Sequence, residues 1–590
     1  MAGLSSHVLS RMSRRRLLRN GAMVGAGLAG AALVGCSAEA PKPTATAGAP
    51  APGQATGTAA AAGPARPGVP VVKGAVKEGG TWTEAVTTTS PQQDMHTALA
   101  QSLWHYISEP ALMPDPWTGE ITANVIEKWE VPDSTHFVFT VRKGVKIHNV
   151  APWNGRDFDA EDLAFNINRI AGNTAAAEGL PVTAFQRSNT LAGMSKVEVV
   201  DKSTVKVTMA KPSSAYMRGF LEWRNVLMPK GIVEVGFKDP MKFASFGAYQ
   251  MAEFVPNVRE SFTKFAGYYR SGEPHFDKVV HNVVPDAAGA LAGFISKQFS
   301  VFGSPTPQDE QTIKAARPDA LLYSTPGSQW LYLWPSAKFD QLSDYRVRKA
   351  FQLAINYQEM GDGFYGPGWE YTGLLYSSYP EAVHADKIKT MPGFNPATKA
   401  QDIAEAQKLM SAAGHANGAG ISFEILTPTG TGVFAAHNQD ALRFQAQMQK
   451  AFTGIKVAMK PVADRAQFAT IQASRNFQMM SYSSVPQPDV ASEANSLFHS
   501  KGGRNYANFS EPEADALLEK ALTELDSKAR AEIFAQFQDK CDKQWQPILP
   551  LYVQPNRTML QPNIGGFDKA VGPWSQAGGF HRPGQLYYVA

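Results

Sequence analysis

Several short segments of the chain alternate apolar and polar residues, as half-buried β-strands do. In residues 136–147, every second residue from Phe137 to Val141 is a large apolar residue, which places these side chains on one face of a strand. Residues 196–209 contain two such runs around the polar positions Asp201 to Ser203. This second pattern predicts a β-hairpin.

Other segments space their apolar residues three and four positions apart, as amphipathic helices do. Asp159 stands before one of these segments and Asp344 before another, where a carboxylate can accept hydrogen bonds from the first backbone N–H groups. Ser510 and Glu513 have the spacing of a capping box ahead of a leucine-rich helix. Strand-like and helix-like segments alternate without an obvious repeat, so the sequence predicts an α/β fold.

The first 35 residues combine a basic segment with a short apolar one. Arg14, Arg15 and Arg16 precede an uncharged stretch made mostly of glycine and alanine. A membrane-spanning helix needs ~20 strongly apolar residues, which this stretch does not supply. Its GxGxxG pattern also lacks the preceding strand and the following acidic residue of a nucleotide-binding loop. Residues 1–35 therefore read as an export signal that is removed from the mature chain.

Residues 36–75 are rich in Ala, Pro, Gly and Thr, which predicts a flexible tether. The roughly 520 residues that follow are more than one hydrophobic core usually organises, so two or more lobes are expected. Removal of residues 1–35, which hold five arginines and no acidic residue, leaves 51 basic and 52 acidic residues. This balance gives no support for nucleic-acid binding.

Motifs for catalysis and metal binding are absent from the sequence. The chain has 12 histidines but no HExxH, CxxC, EF-hand loop, GxSxG elbow or P-loop. His275 and His281 flank a strand-like segment and are interpreted as a surface pair without a metal. Cys541 shares a helix face with large apolar residues, which predicts a core thiol rather than a reactive one. We therefore expect no cofactor, no metal and no enzymatic activity, with an exported hydrolase or redox enzyme as the competing hypothesis.

Clusters of aromatic and polar residues in segments that resemble loops or strand ends suggest a ligand site. Aromatic rings supply contact area with little rotamer entropy to lose, and Trp and Tyr add one polar atom. Such residues suit reversible binding of a polar organic solute. The candidate ligand-binding residues are Trp104, His105, Trp330, Tyr332, Trp334, Tyr371, Tyr482, Asp489 and Arg504.

Six segments in fixed order resemble the large extracytoplasmic solute-binding proteins of bacterial ABC importers, the oligopeptide, dipeptide and nickel-binding family (family 5). These segments are Met113 to Val131, Phe137 to Val150, Phe158 to Leu163, Phe246 to Tyr249, Tyr345 to Asn356 and Asn508 to Asp515. At the N-terminus, Ser13 to Arg19 resembles a twin-arginine export signal, and Leu33 to Cys36 resembles a lipobox.

The resemblance implies a two-lobed periplasmic-binding-protein fold of type II, in the large cluster with an extra inserted domain, and a ligand cleft at the hinge. The implied partition assigns residues 76–114, 236–325 and 551–590 to lobe I, residues 115–235 to the inserted domain and residues 326–550 to lobe II. The resemblance further implies a receptor that captures a solute in the cleft and delivers it to the permease subunits of an ABC transporter.

The lipobox implies cleavage before Cys36 and lipid on its thiol, which would hold an extracytoplasmic, monomeric receptor at the membrane surface. Peptide-binding members carry an acidic residue for the peptide α-amino group in the loop that matches Ser481 to Val490. Here Val485 or Pro486 stands at that position, and Asp489 is the acid that remains. The ligand is therefore expected to be a peptide or a similar polar solute, with an oligosaccharide or another non-peptide ligand as the alternative.

Overall fold

The computed structural model describes residues 69–89, 93–97, 104–185, 187–429, 433–570, 572, 574 and 583–589. The predicted export signal, Cys36 and most of the predicted tether lie outside these residues. The last part of the tether segment is described, and Val69 within it is buried. None of the described helices combines the length and apolar character that crossing a membrane requires.

Lobe I contains two four-stranded sheets that share one hydrophobic core. The first sheet has the order Thr81–Val86, Lys278–Val283, Arg259–Lys264, Tyr249–Val255, and the second has the order Ile126–Asp133, His136–Val141, Thr204–Met209, Met194–Asp201. Phe137, Phe139 and Val141 are all buried on one face of their strand, which confirms the predicted alternation. Strands Met194–Asp201 and Thr204–Met209 pair antiparallel, so the predicted hairpin is also confirmed.

Lobe II is built around a six-stranded sheet with helices on both faces. The strand order is Val301–Gly303, Leu549–Leu560, Leu321–Pro335, Met479–Ser484, Ser422–Pro428, Lys456–Val462. The two longest strands pair antiparallel with each other and run from one lobe into the other. Tyr323 and Leu560 belong to the core of lobe I, whereas Leu333 and Leu549 belong to a core of lobe II. These two crossing strands are the covalent hinge of the fold.

Short strands and helices complete the two lobes. Two small sheets contain the strands Val76–Lys77, Tyr587–Val589 and Ile564–Gly565 in one case, and Leu112–Pro114 and Ile121–Ala123 in the other. The α-helices of the described residues are Trp104–Ile107, Ala160–Ile170, Tyr216–Gly219, Ile232–Val235, Ala287–Ile295, Pro307–Ala316, Asp340–Ser343, Tyr345–Ala354, Tyr357–Tyr365, Ala385–Ile388, Lys399–Ala412, Val433–Ala451, Arg465–Ser474, Val490–Phe498, Pro512–Thr523, Ser527–Lys540 and Phe567–Ala570.

The helix starts test the predicted caps. Asp159 accepts hydrogen bonds from the N–H groups at the start of helix Ala160–Ile170, and Asp344 does the same for helix Tyr345–Ala354. The capping box predicted at Ser510 is wrong. Helix Pro512–Thr523 has Glu511 as its N-cap residue, without a side-chain cap. Because proline occupies the first helical position, the helix begins one residue later than a box centred on Ser510 requires.

Two buried titratable residues, Cys541 and His281, test the remaining local predictions. Cys541 is buried, and burial raises the pKa of its thiol well above its ordinary value, which agrees with the predicted core position. The prediction that His281 is a surface residue is wrong. His281 lies in the core of lobe I, where its Nδ1 is 3.0 Å from Glu260 Oε1 and its ring packs against Tyr106. The period-two strand that carries it turns this polar residue inward, and a buried carboxylate compensates for that.

Candidate functional site

The two lobes meet along a cleft beside the crossing strands. Ser214 of lobe I donates a hydrogen bond to the carbonyl of Leu522 in lobe II at 3.0 Å. Four residues later, Arg218 Nη1 lies 3.4 Å from the carbonyl oxygen of Pro488. Residues 214–224 of lobe I therefore face the loop 485–489 and the segments around it. We define this facing region as the interlobe cleft.

Three aromatic residues of the crossing strand Leu321–Pro335 form a row on one face of the sheet. Trp330 and Tyr332 have ring centroids 4.7 Å apart, and Tyr332 and Trp334 have centroids 5.3 Å apart, both in edge-to-face geometry. All three side chains are buried within lobe II. Within the part of the chain that the structure describes, neither indole N–H nor the Tyr332 hydroxyl has a hydrogen-bond partner.

Such orphaned polar atoms are costly in a protein interior unless water or a ligand satisfies them. The pKa of Tyr332 is raised well above its ordinary value by burial and by the negative charge of Glu493. Its hydroxyl therefore remains a donor. The aromatic row thus holds three buried polar atoms without a described partner, and its rings are far more buried than the sequence suggested.

Lobe II contributes an arginine that is held in place by a buried acid. Arg504 donates to Glu493, to Ser484 Oγ at 2.8 Å and to Ser496 Oγ at 2.9 Å. Glu493 is fully buried, whereas 27% of the Arg504 side chain is exposed. Burial works against the charge of Arg504, but the charge and hydrogen bond of Glu493 raise its pKa overall. The guanidinium is therefore a fixed positive charge at the edge of the cleft.

Lobe I contributes a second pair of the same kind. Arg224 Nε donates to Glu222 Oε1 at 2.5 Å, and the guanidinium lies over the ring of Trp223, 5.3 Å from its centroid. His105 in turn stacks on Trp223, with ring centroids 5.4 Å apart. Burial lowers the pKa of Arg224, Glu222 raises it overall, and the positive charge of Arg504 opposes that rise. The two arginines therefore interact across the cleft.

Asp489, the acid predicted to bind a ligand amine, has other partners in the structure. Its Oδ1 accepts from the N–H of Ser492 at 2.9 Å and caps helix Val490–Phe498. Its Oδ2 accepts from Arg530 Nη1 at 3.1 Å, and Arg530 also pairs with Glu381. Asp489 is buried with these groups. The carboxylate is thus part of the internal support of the loop 485–489.

The other predicted residues lie in different places. Trp104 begins the helix Trp104–Ile107, but its side chain is outside the described set. Tyr482 is half-buried and its ring contacts Phe468. Tyr371 lines a separate cavity of about 350 Å³ in lobe II, where its ring is tilted by 60° against that of Trp369 with the centroids 4.7 Å apart. Of the predicted set, His105, Trp330, Tyr332, Trp334, Tyr482, Asp489 and Arg504 thus come from segments next to the cleft, and Tyr371 does not.

Glu222, Arg224 and Glu493 were missed by the sequence analysis. The run Glu222-Trp223-Arg224 combines two charges with an aromatic ring and could have been noticed as a candidate. Glu493 lies on helix Val490–Phe498, and Arg504 follows it by 11 positions, beyond the end of that helix. Only the fold brings the two side chains together. No cluster of three or more potential metal ligands occurs among the residues described.

Comparisons with known proteins add to this geometry. Residues 94–506 match the profile described as "Bacterial extracellular solute-binding proteins, family 5 Middle". The glutathione-binding protein GsiB of Salmonella typhimurium is 24% identical over 452 residues, which cover 74% of this chain and 81% of that protein. The peptide transport periplasmic protein SapA of Salmonella typhimurium is 24% identical over 486 residues, which cover 79% of this chain and 84% of that protein.

Solved structures share the fold. The substrate-binding protein CtaP of Listeria monocytogenes superposes with a TM-score of 0.72 at 20% identity, covering 87% of this chain and all of that one. The oligopeptide-binding protein AppA of Bacillus subtilis, solved with a nonapeptide, superposes with a TM-score of 0.65 at 18% identity and covers 88% of this chain. At these identities the superpositions establish the two-lobed architecture.

Proposed function

Because the chain belongs to family 5 of the bacterial extracellular solute-binding proteins, we propose that it is the receptor of an ABC importer and binds a peptide-sized polar solute in the interlobe cleft. The observation that carries this proposal is the proximity of the Glu222–Arg224 pair of lobe I to the Glu493–Arg504 pair of lobe II, close enough that the charge of Arg504 acts on Arg224. A solute that contacts charged groups of both lobes would bind the closed arrangement more tightly than the open one.

The hinge explains how binding would be reported to a transporter. A ligand shifts an open–closed equilibrium only by the difference in its affinity for the two states. Lobe I and lobe II are joined by two crossing strands, and Ser214 and Arg218 make polar contacts across the cleft. Trp574, whose N–H donates to the carbonyl of Pro116 in lobe I, also packs its ring against Tyr376 and Tyr379 of lobe II. A solute held by both lobes would add to these contacts and stabilise the closed form. Permease subunits would then recognise that form.

The comparisons favour a peptide-like solute over the alternatives. The relatives named above bind glutathione or transport peptides according to their names. An oligosaccharide would be expected to stack on open tryptophan faces, but Trp330 and Trp334 are packed edge-to-face against tyrosines. The hydrolase alternative needs available carboxyl groups, whereas Glu222 and Glu493 are each bound by an arginine. We therefore propose a receptor without catalytic activity.

The proposed location is the outer face of the cell membrane or the periplasm, with lipid on Cys36. This cysteine ends the lipobox-like segment Leu33 to Cys36. Metabolic labelling with a palmitate analogue tests the anchor in a bacterial host. We expect labelled protein from the unaltered chain and none from Cys36→Ser. Equal labelling of both would refute attachment at this residue.

The receptor function is tested with the chain from residue 37 onward, which retains every described residue. We expect glutathione or mixed tri- to pentapeptides to raise its Tm and to bind saturably in calorimetry, because a ligand of the native state stabilises it by mass action. Maltotriose of similar size serves as the saccharide comparison. A Tm shift with maltotriose alone, or consumption of a peptide during the titration, would refute the proposal.

A further inference from the structure

We propose that lobe II carries a second ligand site outside the interlobe cleft, and that this site binds a small organic diamine. The site is the cavity of about 350 Å³ that Tyr371 lines together with Trp369, Glu370 and Asp386. We call it the Tyr371 cavity. Its lining residues all lie between positions 358 and 389, so the inference does not depend on the proposed receptor function.

Tyr371 brings a buried polar atom without a partner to this cavity. Only 8% of the residue is exposed, and its hydroxyl has no hydrogen-bond partner in the described part of the chain. Such an atom is costly unless water or a ligand satisfies it. Burial and the charge of Asp362, which also lines the cavity, raise the pKa of Tyr371. The phenol is therefore neutral and can accept a hydrogen bond from an ammonium group.

The cavity also contains carboxylates that no described cation neutralises. Glu370 is half-buried, and its carboxylate has neither a hydrogen bond nor an ion pair with any described residue. Burial and the negative charge of Asp386 raise the pKa of Glu370, as expected for a carboxylate that has another acid beside it and no cation. Lys389 lines the cavity but is ion-paired with neither acid. A bound cation would relieve the repulsion between the two carboxylates.

The lining as a whole favours a ligand with two positive charges. Its charged residues are three acids and one base, namely Asp362, Glu370, Asp386 and Lys389, which leave two negative charges in excess. Arg443 and Arg557 donate to carbonyl groups near the cavity, but each is paired with an acid outside it. They therefore do not cancel this excess.

The spacing of the acids and the aromatic walls favour an organic cation over a metal ion. The described residues form no cluster of three or more potential metal ligands, so the carboxylates of the cavity do not surround a single ion. The rings of Trp369 and Tyr371 lie 4.7 Å apart and are tilted by 60°. Aromatic rings attract ammonium groups, and they also suit the apolar chain between the two ends of a diamine.

The loop 366–371 holds the cavity open without a ligand because it is fixed to a crossing strand. Glu370 and Val553 exchange two backbone hydrogen bonds, at 3.1 and 2.9 Å. Arg557 of the same strand donates to the carbonyl of Pro367. A site whose backbone is already ordered loses little entropy when it binds. The Tyr371 cavity is therefore preformed.

Three probes of matched size or charge test the ligand class. Putrescine, 1,4-butanediol and Mg²⁺ are titrated by calorimetry into the chain from residue 37 onward, at about 150 mM NaCl to screen exposed charges. We expect putrescine to bind saturably at one site. We expect the diol, which lacks the charges, and Mg²⁺, which lacks the apolar chain, to bind at least about 10-fold more weakly.

Variants place the putrescine site in the Tyr371 cavity. Glu370→Gln with Asp386→Asn should weaken putrescine binding about 10- to 100-fold and keep the Tm, because neither acid has a partner to lose. Tyr371→Phe removes one hydroxyl and should weaken binding about 3- to 10-fold. The control, Glu405→Gln with Glu532→Gln, makes the same change of net charge at exposed acids of lobe II and should bind putrescine normally.

Each contrary outcome overturns a defined part of the inference. Absence of putrescine binding, or equal binding by the cavity variants and the unaltered chain, would overturn the site. An equal loss in the control would show general charge attraction instead of a site. Equal binding of the diol, or tight Mg²⁺ binding that the double variant loses, would overturn the ligand class. Failure of peptides and glutathione to bind would overturn the proposed function and leave this inference standing.

Discussion

Replacing Asp440 by asparagine is expected to stabilise the protein at alkaline pH and to leave it nearly unchanged at pH 4. Asp440 lies in helix Val433–Ala451 and is fully buried. Its Oδ2 accepts from the hydroxyl of Tyr552 on a crossing strand at 2.7 Å, and its Oδ1 accepts from Arg443 at 3.2 Å. Burial outweighs these contacts and raises the pKa of Asp440 from 3.8 to about 7.

The sign and the size of the change in the free energy of unfolding follow from proton binding by Asp440. Between pH 3.8 and about 7, folded Asp440 holds a proton that the unfolded chain has released. The free energy of unfolding therefore falls by ~1.4 kcal/mol for each pH unit in this window. The total loss from this one group, complete above the folded pKa, is about 4 kcal/mol. Asparagine can still accept from Tyr552 and has no proton to lose, so Asp440→Asn should be free of this loss.

The assay is urea unfolding followed by tryptophan fluorescence at pH 4.5, 6.0, 7.5 and 8.5. We expect the variant to gain on the unaltered chain from pH 4.5 to pH 7.5, to be ahead by about 4 kcal/mol there, and to keep that lead at pH 8.5. Glu532→Gln, an exposed acid on helix Ser527–Lys540, is the control and should follow the unaltered chain. A constant difference between Asp440→Asn and the unaltered chain across this range would refute the reasoning.

Other expected outcomes concern the buried groups around the cleft. Trp334→Ala should lower the free energy of unfolding by about 3–5 kcal/mol, because the side chain is 1% exposed; a loss below ~1 kcal/mol in urea unfolding would show a loosely packed site. Arg530→Met should cost about 3–5 kcal/mol by leaving Glu381 and Asp489 unpaired, and adding Glu381→Gln should restore part of this in the same measurement. Cys541, 2% exposed, should react with a thiol reagent only after denaturation, and rapid labelling of the native chain would contradict its core position.

Local features of the fold were predictable because their causes are local. The alternation from Phe137 to Val141 needs only one buried face, and the caps at Asp159 and Asp344 need only a carboxylate before a helix. The error at Ser510 arose where two local signals compete, because the proline at position 512 fixes the start of the helix. The error at His281 has a different origin, since its partner Glu260 is on the neighbouring strand.

The cleft could be predicted only in part. Aromatic and charged clusters in loops are a general sign of binding surfaces. Three residues selected on this ground, His105, Tyr482 and Arg504, lie in segments next to the cleft. The use of Asp489 could not be predicted, since Arg530 pairs with it from a helix 41 positions away. The pairing of Glu222 with Arg224 is local, yet its meaning depends on the opposite lobe. Only the fold determines which distant segments are in contact, and the roles inferred for Asp489 and Arg224 depend on those contacts.

Strand Leu549–Leu560 occupies an interior place in the large sheet, although it is among the last segments to be synthesised. At ~5–20 residues per second, roughly 10–40 s separate the synthesis of strand Leu321–Pro335 from that of its partner. During this interval one long edge of Leu321–Pro335 has no partner strand, and such edges invite wrong pairing. A premature stop before Leu549 would leave an open sheet rather than a smaller stable receptor.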